Sequence, residues 1–298
     1  MKTLLPASIL VLAALVASAA PRKGGNGMAR QANQKQIWRD NKGDVTVLAN
    51  SGVADSNRKT NVTQFTVAGN VAVASRLQGI AMSAARMTGT IEPDPAKKGA
   101  QRLDALRATG GVTIVRTRTE AVAGKAVAGR TDAKGDSGTY DAGAGDAGTA
   151  TLKGNVVIID ELGGRKVNLL GNEGTVNFST AQRGNSALKG AVMTGNVRIK
   201  VTEVDQAGTA SVYNAAGDRL EYAKAGVGAT LTLSGHVKLD SPGEGGGTSE
   251  GIERLVLTLG ADGTLEHVKA FTDAPDARVR TTYRPKKSPV KPAGKTGQ

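Results

Sequence analysis

The sequence predicts an all-β protein built from about five repeats of 40–44 residues. One seven-residue pattern carries most of the argument: small or apolar, x, Gly, polar, Val, x, then Val, Ile or Leu. It recurs with its key glycine at 69, 110, 154, 195 and 235, at spacings of 41, 44, 41 and 40. Inside each copy, Val-x-Val or Val-x-Ile puts two branched side chains on one face of a pleated strand. Helical periodicity is scarce. Gly79–Met87 and Gln101–Ala108 hold helix-formers without a clear period, and the second feeds directly into a repeat strand.

The elements follow in chain order. Lys2 is the only charge in the first 21 residues, and an apolar stretch from Leu4 to Val16 ends in Ala17-Ser18-Ala19. This predicts a secretory signal peptide over 1–19, cleaved before Ala20, and a periplasm-like destination. Residues 20–36 read as a flexible basic lead, and the repetitive β domain spans 37–283. Its copies are Val67-Ala68-Gly69-Asn70-Val71-Ala72-Val73, Ala108-Thr109-Gly110-Gly111-Val112-Thr113-Ile114, Leu152-Lys153-Gly154-Asn155-Val156-Val157-Ile158, Met193-Thr194-Gly195-Asn196-Val197-Arg198-Ile199 and Leu233-Ser234-Gly235-His236-Val237-Lys238-Leu239. The Gly-Asn pair supplies a turn or bulge where positive φ costs little. Middle residues such as Thr113, Arg198 and Lys238 suit a solvated face. A second element, ending in Tyr and a turn, sits upstream of some copies: Gly138–Ala142 with Tyr140, and Ala210–Ala215 with Tyr213. Ordinary strand and loop lengths then predict roughly four strands per period. Residues 284–298, with three Pro, five basic residues and no acid, read as a disordered basic tail.

Composition excludes much chemistry. With no Cys there are no disulfides, thiol nucleophiles or Cys-based metal sites, and the two His, 236 and 267, oppose a His-based metal site or a triad. No cofactor and no enzymatic activity are expected. Gly143-Ala144-Gly145-Asp146-Ala147-Gly148 matches a dinucleotide fingerprint, but a strand rather than a helix follows, so it reads as a hairpin. Asp132, Asp136 and Asp141 lack calcium-loop spacing and read as turn-formers. Asp160 and Glu161, adjacent on a strand, point to opposite faces. The formal net charge of +13 comes with three Phe, four Tyr and one Trp, too few platforms for nucleic-acid binding, so no nucleic-acid partner is expected. The excess suits anionic lipid head groups or phosphorylated glycolipid.

Gly-Asn-Val-x-Ile after an Ala/Leu-rich lead, with an upstream Tyr-Asp/Asn-Ala turn, resembles the OstA/LptA-like periplasmic proteins of lipopolysaccharide transport. Asp132–Ile199 carries the likeness best, through Ser137-Gly138-Thr139-Tyr140-Asp141 and Ala150–Ile158, and weaker copies extend it from about Val67 to about Leu239. The resemblance implies a multi-stranded antiparallel open jellyroll (a β-taco) whose groove shields acyl chains of lipopolysaccharide or a similar anionic glycolipid. It also implies inner- and outer-membrane transport components as partners, and head-to-tail homo-oligomers. The residues expected to line the groove are Val71, Val73, Val112, Ile114, Val156, Ile158, Val197, Ile199, Val237 and Leu239. The same alternation fits a filled core. A small β-propeller or a β-solenoid scaffold without a groove is the competing reading, since four-stranded blades also repeat at such a period.

Overall fold

A computed structural model describes residues 34–39, 45–75, 80–94, 99, 101–122, 125–143, 148–162, 165–179, 187–204, 210–225, 228–241, 247–259, 265–272 and 279–283. The expected signal peptide, most of the basic lead and the basic tail lie outside these residues. The strands are β1 (Lys35–Arg39), β2 (Val45–Ala49), β3 (Ser51–Asn57), β4 (Val62–Ser75), β5 (Ile80–Pro93), β6 (Gln101–Val122), β7 (Lys125–Asp141), β8 (Gly148–Leu162), β9 (Arg165–Ser179), β10 (Ala187–Val204), β11 (Ala210–Ala225), β12 (Gly228–Asp240), β13 (Gly247–Leu259), β14 (Leu265–Phe271) and β15 (Arg280–Tyr283). The expected boundary between lead and domain, at 36/37, falls inside β1.

The strands form one open antiparallel sheet, an unclosed jellyroll of the taco type, in the order β1-β2-β4-β5-β6-β7-β8-β9-β10-β11-β12-β13-β14. Consecutive strands pair as in a meander. At each end, two short strands share one long neighbour: β2 and β3 pair with the two halves of β4, and β15 and β14 with the two halves of β13. A propeller's separate blades are replaced by this single continuous ladder.

Each repeat is one hairpin of two long strands, not four short ones: β4–β5, β6–β7, β8–β9, β10–β11 and β12–β13. The reason is where the Gly-Asn pair sits. It does not begin a strand but bends one in mid-course. Both residues of each pair have positive φ: 76° and 47° at Gly69-Asn70, 82° and 78° at Gly110-Gly111, 76° and 47° at Gly154-Asn155, 82° and 50° at Gly195-Asn196, 75° and 51° at Gly235-His236. Only Gly tolerates the left-handed region freely, with Asn and His the next most frequent there, so the second slot is filled by Asn, Gly or His. His236 thus serves the backbone, as its place in the pattern predicted.

Opposite each pair stands a single residue of the neighbouring strand. Thr109 pairs with Ser137 and Val112 with Gly135, which sets Gly110-Gly111 against Asp136 alone. Thr194 pairs with Arg219 and Val197 with Gly217, which sets Gly195-Asn196 against Asp218. Such bulges bend a strand and add twist. Their recurrence in β4, β6, β8, β10 and β12 draws a fold line across the sheet. The line divides it into leaf A (71–75, 80–84, 112–122, 125–135, 156–162, 165–171, 197–204, 210–217, 237–240, 247–252) and leaf B (62–68, 86–93, 101–109, 137–141, 148–153, 173–179, 187–194, 219–225, 228–234, 254–259).

Two inserted residues preserve the inward alternation of a bulged strand: Leu106 and Ala108 are buried before the bend of β6, and Val112 after it. The single opposing residue shifts the alternation of its own strand by one. In β7, Ala133 and Gly135 are buried before Asp136, and Tyr140 and Ala142 after it. Inward side chains of both leaves join in one hydrophobic cluster. The core is therefore the inner face of a sheet folded onto itself.

Several local expectations change. The two helix-ambiguous segments are strand in their described residues, from Ile80 in β5 and over Gln101–Ala108 in β6. Asp132 and Asp136 lie within β7 rather than in turns; only Asp141 acts at a turn, accepting the Gly143 N–H at 2.7 Å. Tyr213 lies near the start of β11, five residues before Asp218, so it is not the counterpart of Tyr140. Tyr222 is that counterpart, four residues past Asp218 as Tyr140 is past Asp136. Ala72, a middle residue expected to face water, is buried, with Leu48 of β2 as its buried cross-strand partner.

Candidate functional site

The candidate site is the inner face. All ten residues expected to line it point inward. Eight of them (Val71, Val73, Val112, Val156, Ile158, Val197, Ile199 and Val237) are at most 4% exposed, and Ile114 and Leu239 pack on the same cluster while half-buried. Sheet register assembles them into rows that run across the strands. The row nearest the fold line in leaf A contains Val112–Gly135 and Val156–Gly171, then Val197–Gly217. The next row is continuous: Val47–Val73–Met82–Ile114–Ala133–Ile158–Leu169–Ile199–Ala215–Leu239. Rows are spaced by two residues, about 6.7 Å, and strands by about 4.8 Å. The apolar surface is thus shallow along each strand and long across the sheet.

Leaf B supplies the facing wall, which the Val-x-Ile pattern did not reveal. Its rows run Val67–Met87–Ala108–Gly138–Leu152–Gly174–Met193–Leu220–Leu233–Leu255 and Phe65–Gly89–Leu106–Tyr140–Ala150–Val176–Ala191–Tyr222–Leu231–Leu257. Gly89 is required by close approach: a Cβ there would lie 2.6 Å from the Phe65 ring and 2.7 Å from the Ala105 carbonyl. A sequence signal for this wall exists. Gly135-Asp136-Ser137-Gly138-Thr139-Tyr140, Gly171-Asn172-Glu173-Gly174-Thr175-Val176 and Gly217-Asp218-Arg219-Leu220-Glu221-Tyr222 share Gly, Asp or Asn, x, Gly or Leu, x, Tyr or Val. Burial raises the pKa of the Tyr140 phenol well above its ordinary value, and that of Tyr222 in the same direction.

The interior is packed by its own side chains. A void of about 10 Å³, room for about one water, lies among Ile199, Ala215, Leu220, Leu231, Leu233, Leu255 and Leu257.

One interior row turns polar at its centre. Two residues beyond the Val-x-Ile pair stand Arg116, Asp160 and Val201, and the row reads Arg116–Thr131–Asp160–Val167–Val201 across the strands. Arg116 pairs across the sheet with Thr131, and Thr131 with Asp160. All three are buried, at 5%, 1% and 1% exposure. The Thr131 hydroxyl donates to Asp160 Oδ1 at 2.5 Å. Glu161 faces out and pairs with Lys166 at 2.8 Å, so the two adjacent carboxylates do part to opposite faces.

The outer face is charged. Lys153–Glu173 and Lys238–Glu250 pair across strands, and Arg130 pairs with Asp132 along β7. Beside the fold line, Asn155 Nδ2 donates to Asp136 Oδ2 at 3.2 Å, and His236 Nδ1 lies 2.8 Å from Asp218 Oδ2. Of the Gly143–Gly148 segment, residues 144–147 lie outside the described residues; β7 and β8 on either side of it pair antiparallel at Asp141–Thr149, in keeping with the hairpin reading.

No family model, no curated protein and no solved structure matches this chain.

Proposed function

We propose that this is an exported, non-enzymatic lipid-binding protein that shelters acyl chains between the two leaves. The ligand is lipopolysaccharide or a similar anionic glycolipid, handed between inner- and outer-membrane components across a periplasm. The observation that carries the reading is the pair of apolar rows on each leaf. They cross the strands without a charge, on a sheet left open rather than closed into a barrel. An acyl chain laid against these rows gains about 0.8 kcal/mol per buried CH₂ and needs no catalytic group. The resemblance of the repeats to OstA/LptA-like proteins supports the same reading, as does a net charge of +13 that would attract anionic head groups. Among the described residues the sheet also ends in strands free on one side. Val53 of β3 is 70% exposed at one end and Val268 of β14 41% at the other, which suits head-to-tail pairing of copies.

The packed interior favours a second reading, a β-repeat scaffold with no lipid. Mass spectrometry of lipid that copurifies with the chain from its native envelope, with a photo-crosslinker placed at Val156 or Ile199, separates the two. Acyl chains crosslinked at both positions support transport. A lipid-free protein whose interior crosslinks only to itself overturns it in favour of the scaffold.

A further inference from the structure

The geometry points to Arg116, Thr131 and Asp160 as the place where the polar group of a bound amphiphile docks, and to that group being uncharged and hydroxyl-bearing. The inference rests on the acyl-sheltering reading above and adds the orientation and chemistry of the ligand.

The row is out of keeping with a plain core. Asp160 is followed across the sheet by Val167 and Val201, both buried, so the same depth in the fold accepts apolar side chains two strands away. Burying a guanidinium and a carboxylate costs several kcal/mol of desolvation per ion, and apolar replacements of similar volume are often neutral or stabilising. A protein whose interior only had to be filled has no use for these three. An amphiphile between the leaves does. Its chain crosses the two apolar rows next to the fold line in the strand direction, which places the start of its polar portion one row further out.

The chemistry of the row narrows the group. Arg116 offers only donors, Asp160 only acceptors, and Thr131 both. Their charges sum to zero, and a carboxylate 29 positions along the chain from Thr131, held against its hydroxyl, would repel a phosphate placed there. A glycerol or sugar hydroxyl donates to a carboxylate and accepts from a guanidinium at once. An anionic substituent is left to the Lys and Arg of the outer face. The row also eases opening: when the leaves part, its groups regain water, whereas Val and Ile in their place would lose burial.

The test uses the full chain and two fluorescent probes of equal chain length, pyrenedecanoyl glycerol and headless pyrenedecane. The triple variant Arg116→Leu, Thr131→Val, Asp160→Leu is expected to melt at or above the wild-type temperature. It should bind the glycerol ester about tenfold more weakly while binding pyrenedecane as well as before. Equal shifts for both probes overturn the docking row and leave the acyl-sheltering reading standing. If the wild type binds neither probe, that reading falls and the docking row with it. Should the variant not fold, a wild-type measurement decides. A diazirine on the glycerol head is expected to label peptides containing Arg116, Thr131 or Asp160, and labelling confined to outward residues overturns the proposal.

Discussion

The two leaves wall one interior with different kinds of side chain. Leaf A presents Val71, Val73, Val112, Ile114, Val156, Ile158, Val197, Ile199 and Val237, all β-branched, with Met82 and Leu169 as exceptions among them. Leaf B presents Phe65, Met87, Leu106, Tyr140, Leu152, Met193, Leu220, Tyr222, Leu231 and Leu233, none of them β-branched, with Val67, Ile91 and Val176 as exceptions among them. Branched side chains are stiff at χ1 and hold a fixed surface, while Met and Leu adapt to what faces them. Leaf A therefore behaves as a template repeated five times, and leaf B as the filler that accommodates it. The difference also explains where the wall sits relative to the bend. The stiff pair follows the Gly-Asn bulge directly, where the chain must leave the corner in one defined direction.

The comparison breaks most sharply by emptying the stiff wall. Ile158→Ala, at a position with no room to relax, should cost about 2–5 kcal/mol in denaturant unfolding. The fold line between the leaves comes next. At Gly154, φ is +76° and a Cβ would lie 2.7 Å from Cγ of Asp136. Gly154→Val should cost about 1–3 kcal/mol. Gly111→Asn is the matched control. Its φ of +78° has open space around the missing Cβ, and Asn fills that slot in three other repeats, so its effect should stay within about 0.5 kcal/mol. On the adaptable wall, Met193→Leu should cost less than about 1.5 kcal/mol. A cost at Met193 equal to that at Ile158 would remove the distinction between the walls.

The smallest effects are electrostatic and separate the leaves by sign. On the outer face of leaf A, hydrogen bonding to Arg130 holds the Asp132 carboxyl below its ordinary pKa, against partial burial. Its folded pKa is below the unfolded one, so the pair stabilises above the ordinary carboxylate pKa, and this is lost as pH falls through the folded value. In leaf B, burial first and the Glu92 charge second raise Asp104, with Arg102 opposing them. Its folded pKa is above the unfolded one, so the fold gains stability as pH falls through that raised value. Asp132→Asn should therefore lower stability at neutral pH and flatten the acid loss. Asp104→Asn should hold or raise it at neutral pH. Each effect is a few tenths to about 1 kcal/mol, as exposed and half-buried pairs give. Urea titrations at neutral pH and at pH near 4 read both signs.

The legible part of the site follows from the same contrast. Val71 through Leu239 were found in the sequence because a stiff wall repeats one short pattern. Leaf B was missed because Met87, Gly138, Gly174, Leu220 and Leu255 occupy equivalent row positions without a single residue type among them. Its one recurring signal is the Gly followed by Asp or Asn that faces the bulges from β7, β9 and β11. The strand count was misjudged for a local reason. A Gly-Asn pair reads as an end of structure in sequence, whereas the ladder resumes on both sides of it.

The sequence by itself determined the all-β class, the five-fold repetition, the inward-pointing residues of leaf A and the role of His236, because alternation and positive φ are properties of a residue and its immediate neighbours. Only the tertiary structure decided that the bends align into one fold line and that Met and Leu close the second wall. It also decided that Arg116, Thr131 and Asp160 meet in one buried row. Those facts depend on register between strands tens of residues apart, which no local pattern encodes.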